Sequence, residues 1–315
     1  MTDEQVRRAV AAMEAYTGTV PGYRRAHARG VYFNARFTPS PAIAELTTAE
    51  HLQGPEVPAL VRLSNGAGSP YAPDRKPGHH GTTLGLGIRF ELASGGYSTW
   101  AAASLPNFPA RDAEEFIRIT TLQKQNPRTG KPAVAPLLAH IATHPHILPG
   151  IKGIAGVQPT ASFATTRFNG LHAYYLIAPD GTRRAFRYSW VPDAGSQQIT
   201  DKADREWPPQ YLPSEISQRT EPSWSLVFTL AAQGDPVDDV TKQWPSDREQ
   251  HTAGRLVLTD LHPDQAGVEN VVFDPTNVVA GMDLSDDPIL HFRSAVYGES
   301  YARRVKEDRP TIQPG

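Results

Sequence analysis

The chain has 315 residues, with 31 Lys plus Arg set against 33 Asp plus Glu and no cysteine. That length can bury a large core, and the near-neutral charge offers no general attraction for nucleic acid or an anionic membrane, which points to a small-molecule partner. The absence of thiols excludes disulfides, thiolate-ligated haem, iron–sulfur clusters, cysteine-ligated zinc and every thiol-based peroxidase mechanism.

Residues 2 to 16 predict a short helix, with Thr2 as its cap and Asp3 and Glu4 in the first turn, where carboxylates suit the positive end of the helix dipole. MTDEQVRRAVAAMEAYTG has no apolar h-region, and no apolar run approaches the ~20 residues that a membrane helix needs. A cytoplasmic location is expected, or a periplasmic one if a leader has been removed. Extended patterns follow at ALVRLSN (59–65), LGLGIRFEL (84–92), YSTWAAAS (97–104), SFATTRFNGLHAYYLIA (162–178), RRAFRYSWV (183–191), SWSLVFTLAA (223–232), GRLVLTDL (254–261) and NVVFD (270–274). Several alternate apolar and polar residues, and Asp180-Gly181 in APDGTRR predicts a hairpin turn. Helical stretches interrupt them at 110–124 and 131–148, and a last helix spans 286–306. Antiparallel strands in this number suggest a barrel of about eight, a size that side chains can fill or that can hold one ligand. With no internal repeat or low-complexity linker, residues 1–315 read as one α+β domain: a short N-terminal helix within 1–19, a barrel with flanking helices, and a closing helix.

HFRSAVYGES (291–300) places Arg293 and Tyr297 four residues apart on one helix face, and Arg304 extends the same stripe. Two cations therefore flank one phenol. Holding a tyrosine as phenolate at neutral pH costs roughly 4 kcal/mol, more than one exposed arginine supplies. A ferric iron bonded to the oxygen, with the arginine donating to it, does supply it, and tyrosinate is one of the ways proteins hold haem iron. An isolated R-x-x-x-Y is more often an arginine packed on a tyrosine, so other residues must decide.

FDPTNVVAGMDLSDDPILHFRSAVY (273–297) resembles the haem catalase segment that leads into the proximal helix, with its F-x-P-x-N-x-x-x-G approach and its R-x-x-x-Y. Upstream, YRRAHARGVYF (23–33) resembles the R-x-x-H-A-basic-G segment, VRLSNGAG (61–68) the V-R-F-S strand, and LQKQNPRTG (122–130) the Q-K-R-N-P-x-T stretch. RFNGLHAYYL, EPSWSLVF and VDDVTKQWP fit in order, so the resemblance covers about residues 20 to 306. Shorter than an ordinary catalase at both ends, the chain is similar to the minimal group called catalase-related peroxidases.

The resemblance implies a haem between barrel and closing helix, expected to be haem b, with Tyr297 as the iron ligand and Arg293 as its partner. It implies His27 as the distal histidine and Ser64 as the hydroxyl that orients its ring. Arg24, Arg62 and Arg304 would be the cations near the haem propionates, and Phe108 and Phe116 the aromatic lining of the distal side. One departure matters. Where catalases read G-N-N-T-P, the ungapped match is Ala102-Ala103-Ser104-Leu105-Pro106, so the amide that holds peroxide beside the histidine falls on Ala103. A methyl cannot donate a hydrogen bond; Asn107 or a water is the candidate replacement.

The expected activity is that of a haem peroxidase reducing organic hydroperoxides and hydrogen peroxide with an organic electron donor, with weak catalase activity. The alternatives are a true catalase, a hydroperoxide isomerase resembling the coral allene oxide synthases and, outside enzymes, a haem carrier or sensor. A homodimer or monomer is expected, with no nucleic acid or membrane partner. Other motifs read as structural. HIATHPH places His140, His144 and His146 together, but Pro145 breaks the helix and no glutamate follows the first histidine, so surface histidines are expected rather than zinc. GHH (78–80) before GTTLGLG lacks the lysine and following helix of a phosphate loop, and Trp100 and Trp224 read as core.

Overall fold

Eight antiparallel strands close on themselves in sequence order in the computed structural model, which describes residues 2–76, 80–123, 134–199 and 207–310. They are β1 (Gly30–Pro39), β2 (Val57–Asn65), β3 (Leu84–Glu91), β4 (Tyr97–Ala103), β5 (Phe168–Ile177), β6 (Arg183–Pro192), β7 (Ser223–Leu230) and β8 (Gln250–Leu261). Each pairs with the next, and β8 returns to β1. A short β9 (Met282–Leu284) adds to β5. The barrel is filled rather than hollow: Phe37, Phe90, Trp100, Trp190, Trp224 and Phe228 are all buried in its core. Alternation along β2 puts Val61 and Leu63 into that core and turns Arg62 and Ser64 outward.

The outer face of β2, β3 and β4 is covered by helices. α1 (Asp3–Thr17), α2 (Ala113–Leu122) and the long last helix α6 (Pro288–Arg304) share a second apolar core containing Val10, Ile117 and Val296. Between them in the chain come α3 (Val134–Thr143), α4 (Leu148–Ala155) and α5 (Leu212–Ser217). α1 begins with the expected cap: Thr2 Oγ1 accepts from the Gln5 N–H, and Gln5 Oε1 accepts from the Thr2 N–H.

Several sequence expectations need correction. NVVFD (270–274) is no strand, because its backbone groups bond side chains instead of a ladder: Val271 C=O accepts from Arg24 and Asp274 C=O from Thr99. The helix expected at 131–148 is cut at His144–Pro145, where proline removes a donor. The strand expected from 162 starts at Phe168, since Ser162 Oγ accepts from the Ala164 N–H and caps a 3₁₀ turn. β1, β9 and α5 were not foreseen. GHH at 78–79 and LQKQNPRTG at 124–130 lie outside the described residues.

Candidate active site

Two rows of side chains run across the outside of the barrel. Ser64 pairs with Gly85 and Gly85 with Ala103; two residues along, Arg62 pairs with Gly87 and Gly87 with Ala101. All six line a cavity of about 300 Å³. The four small residues make it flat on the barrel side, and α6 supplies the opposing Phe292, Arg293, Val296, Tyr297 and Arg304.

His27 enters from the chain before β1 with φ 54°, in the left-handed region that a non-glycine residue rarely occupies. Its N–H is held by Gly66 C=O at 3.3 Å, and its Nδ1 lies 3.0 Å from Ser64 Oγ. Ser64 donates to Gly85 C=O at 3.4 Å, so its oxygen accepts from Nδ1–H and the Nε2 lone pair is left for the cavity that the ring lines. Space for the imidazole comes from Gly85, where a Cβ would stand 2.5 Å from His27 Cε1. Burial, then the cations Arg62, Arg293 and Arg24, push the imidazole down to about 3, which keeps it neutral. Phe108 stacks on Phe116 at 6.0 Å and Phe116 meets Phe292 edge-on at 5.9 Å, walling the cavity with rings.

On α6, Arg293 Nη2 donates to Tyr297 Oη at 2.6 Å. Burial alone would lower this guanidinium, but the oxygens of Tyr297, Tyr174 and Tyr188 outweigh it and raise the value. Behind the pair lie two residues that the sequence did not announce. His172 on β5 bonds through Nδ1 to Asp287 Oδ2 at 2.7 Å, both nearly inaccessible, while Asp287 Oδ1 caps α6 by accepting from the Ile289 N–H at 2.9 Å. Burial holds His172 down at about 4. Asp287 before a proline is legible as a helix cap; a single histidine in a strand carries no local signal.

At the far end, Arg24, Arg62 and Arg304 gather around Glu269 and Tyr32. Arg24 pairs with Glu269 and donates to Val271 C=O at 2.6 Å, Arg62 donates to His27 C=O at 2.8 Å, and Arg304 reaches the Glu269 and Asn270 carbonyls at 3.5 Å. Burial and the neighbouring Arg62 push Arg24 down to about 9. Arg62 Nε, Arg304 Nε and Tyr32 Oη are buried with no partner among the described residues.

All nine residues singled out from the sequence therefore border one cavity, and the catalase family model matches residues 12–312. The chain belongs to the catalase family. It is 30% identical over 310 residues to the catalase-related peroxidase of Synechococcus elongatus, covering 97% of this chain and 89% of the relative. To the catalase-related peroxidase of Mycolicibacterium paratuberculosis it is 32% identical, covering 98% and 97%. Catalase-3 of Arabidopsis thaliana is 27% identical over 90% of this chain and 60% of its own length. A bacterial catalase structure superposes with a TM-score of 0.77 at 22% identity, covering 91% of this chain and 58% of that one, and shows the same fold. The protein is thus a haem oxidoreductase that acts on peroxide.

The residues present fit the catalase cofactor. A planar group needs a shallow wall, and the missing side chains of Gly85 and Gly87 let the His27 and Phe273 rings lie close against the strands, beside the small Ala101 and Ala103. Among the described residues Arg24 and Arg62 pair with the Glu269 carboxylate and Arg304 reaches only the backbone carbonyls of Glu269 and Asn270, so this end of the cavity is cationic and suits an anionic group. Asn107 does not replace the missing amide. It is buried, donates to Thr241 C=O at 3.1 Å, and is not among the residues lining the cavity. The histidines of HIATHPH serve local packing: His140 and His144 rings lie 4.1 Å apart, and His146 Nε2 contacts Glu115 Oε1 at 2.7 Å. No group of three metal-ligating side chains forms among the described residues.

Proposed function

We propose that this catalase-family protein is a peroxidase that reduces organic hydroperoxides and hydrogen peroxide at the expense of an organic electron donor, with haem b as cofactor and only weak oxygen release from hydrogen peroxide. The supporting observation is Ala103. Its methyl borders the cavity on the same row as Ser64 and Gly85, beside His27, and no side-chain amide lines that cavity among the described residues. A catalase must hold a second peroxide as reductant in that place; an organic donor needs no such seat. Leu105, Phe108, Phe116 and Phe292 also give carbon-bearing hydroperoxides an apolar wall to displace water from.

In this reading Tyr297 holds the haem iron with Arg293 donating to the same oxygen, and Arg24, Arg62 and Arg304 hold the propionates. The bound haem supplies the iron that takes up peroxide oxygen and gives it electrons. The rest of the work falls to the protein's own groups. Neutral His27, its tautomer fixed by Ser64, takes the hydroperoxide proton at Nε2 and returns it to the departing oxygen, which leaves as water or alcohol. Phe108 and Phe116 exclude bulk water from that exchange.

The test is Ala103→Asn at equal haem occupancy. A well-placed donor to a reacting oxygen is worth roughly 2.7–4 kcal/mol at best, and a strand not shaped around an amide delivers less. Oxygen-electrode rates should rise several-fold in the variant, while oxidation of a phenolic donor by an organic hydroperoxide stays level or falls. Brisk oxygen release by the unmodified protein would refute the assignment.

A further inference from the structure

In a chain without cysteine the three methionines carry the only sulfur. Met1 lies outside the described residues, and Met282 on β9 is buried against the barrel core. Met13 stands elsewhere: partly buried, it lines the cavity together with His27, Phe116 and Tyr297. It ends the stripe Val6, Ala9, Val10, Met13, spaced i, i+3, i+4, i+7, by which α1 packs over α2 and α6. The first three members are short and buried. The fourth is a long, polarisable thioether placed where peroxide is handled.

We propose that Met13 is a built-in oxygen acceptor: when no donor is present, hydroperoxide in the cavity oxidises its thioether to the sulfoxide. The step balances without any other reactant. The Sδ lone pair supplies two electrons, the O–O bond breaks, and one peroxide oxygen ends as the S=O group. The other takes up the proton given off by the transferred oxygen and leaves as water from hydrogen peroxide or as the alcohol from an organic hydroperoxide. Position selects Met13 over Met282, whose sulfur is sealed behind the barrel wall. The product places a strong dipole in a wall otherwise built from Leu105, Phe108, Phe116 and Val296, so the modified protein takes apolar hydroperoxides less well. This inference rests on the peroxidase reading, because the cavity must activate the peroxide.

The experiment treats haem-loaded protein with a small excess of cumene hydroperoxide and no donor, then compares the tryptic peptides carrying Met13 and Met282 by mass. Met13 should gain one oxygen at least about tenfold faster than Met282 and about tenfold faster than Met13 of haem-free protein. A phenolic donor, or the substitution His27→Ala, should suppress the gain. Equal oxidation of Met13 with and without haem would mean simple exposure to solvent and would overturn the proposal. Hydroperoxide consumed in the donor-free sample with Met13 intact would overturn it, while donor oxidation in a parallel sample would leave the peroxidase reading standing; no consumption in either sample would overturn both.

Discussion

His51 allows a prediction that depends on neither cofactor nor substrate. Its ring is wholly inaccessible, stacked on Phe90 at 4.8 Å and edge-on to Trp100 at 5.5 Å, and neither ring nitrogen has a partner among the described residues. Burial pushes it from 6.5 down to about 3. Above pH 6.5 both folded and unfolded states hold it neutral, but as pH falls below that value only the unfolded state takes up the proton, so stability is lost progressively down to the folded value. Integrating one such proton from pH 7 to pH 5 gives about 2 kcal/mol, and any folded value below about 4 gives the same figure. His27 at about 3 and His172 at about 4 behave alike, so the three together cost the haem-free protein roughly 6 kcal/mol over that interval, comparable with the whole stability of an ordinary domain. His51→Phe removes one of the three. Whatever the larger ring costs in packing is the same at every pH, so the slope isolates the proton. Urea unfolding of haem-free protein followed by tryptophan fluorescence at pH 7, 6 and 5 should show the variant losing about 2 kcal/mol less than the unmodified chain. Parallel stability curves would refute the reasoning.

Two further outcomes follow from the cavity itself. In Gly85→Ala the new Cβ would stand 2.5 Å from His27 Cε1 and 2.9 Å from Ser64 Oγ. The clash must displace the His27 ring, at an overpacking cost of about 1–3 kcal/mol, and hydroperoxide turnover at equal haem occupancy should fall on the order of a hundredfold, the cost of a misplaced reacting group; undiminished turnover would show that His27 need not sit where it does. Tyr297→Phe should abolish tight haem binding in a spectroscopic titration and leave the Arg293 guanidinium enclosed without its hydrogen-bond acceptor, lowering the melting temperature of the haem-free protein. Arg293→Met added to Tyr297→Phe should recover the melting temperature but not the haem affinity.

The barrel was legible because β3, β6 and β7 alternate buried and less buried residues with period two, and because Asp180-Gly181 marks a hairpin. β1 is a full strand in GVYFNARFTP, but its consecutive buried Val31, Tyr32 and Phe33 hide the period-two pattern where the strand begins. At the site, residues carried by contiguous motifs were found: His27, Ser64, Arg293 and Tyr297 each sit in a recognisable run. His172, Glu269 and Met13 were not, because each acts through a partner more than a hundred positions away: Asp287, Arg24, and the cavity wall on α6 respectively. Spacing along the chain has no term for such contacts. The question of Asn107 had the same character: it stands four residues after Ala103, yet which way its amide points is decided by Thr241.

What the sequence could not express, the structure displays as broken local rules, several of which meet at one place. At the cavity a histidine adopts a glycine-like φ, two glycines interrupt a strand, two arginine Nε groups and a tyrosine hydroxyl lie buried without partners among the described residues, and two guanidiniums crowd a single carboxylate. Each departure costs stability, of order 1–3 kcal/mol for a strained residue or an unsatisfied buried group. Similar departures occur elsewhere, at His51 and Glu221 among others, but these border one cavity and suit one kind of ligand, flat and anionic at one end. The haem-free protein therefore carries a strain that ligand binding relieves. Since anything that binds only the folded state adds RT ln(1 + [L]/Kd) to stability, haem adds its increment to a haem-free stability that acid erodes, so at a given Kd the bound form unfolds at lower pH. In acid the neutral His27, His51 and His172 have already brought the haem-free form near unfolding, while the bound form still holds.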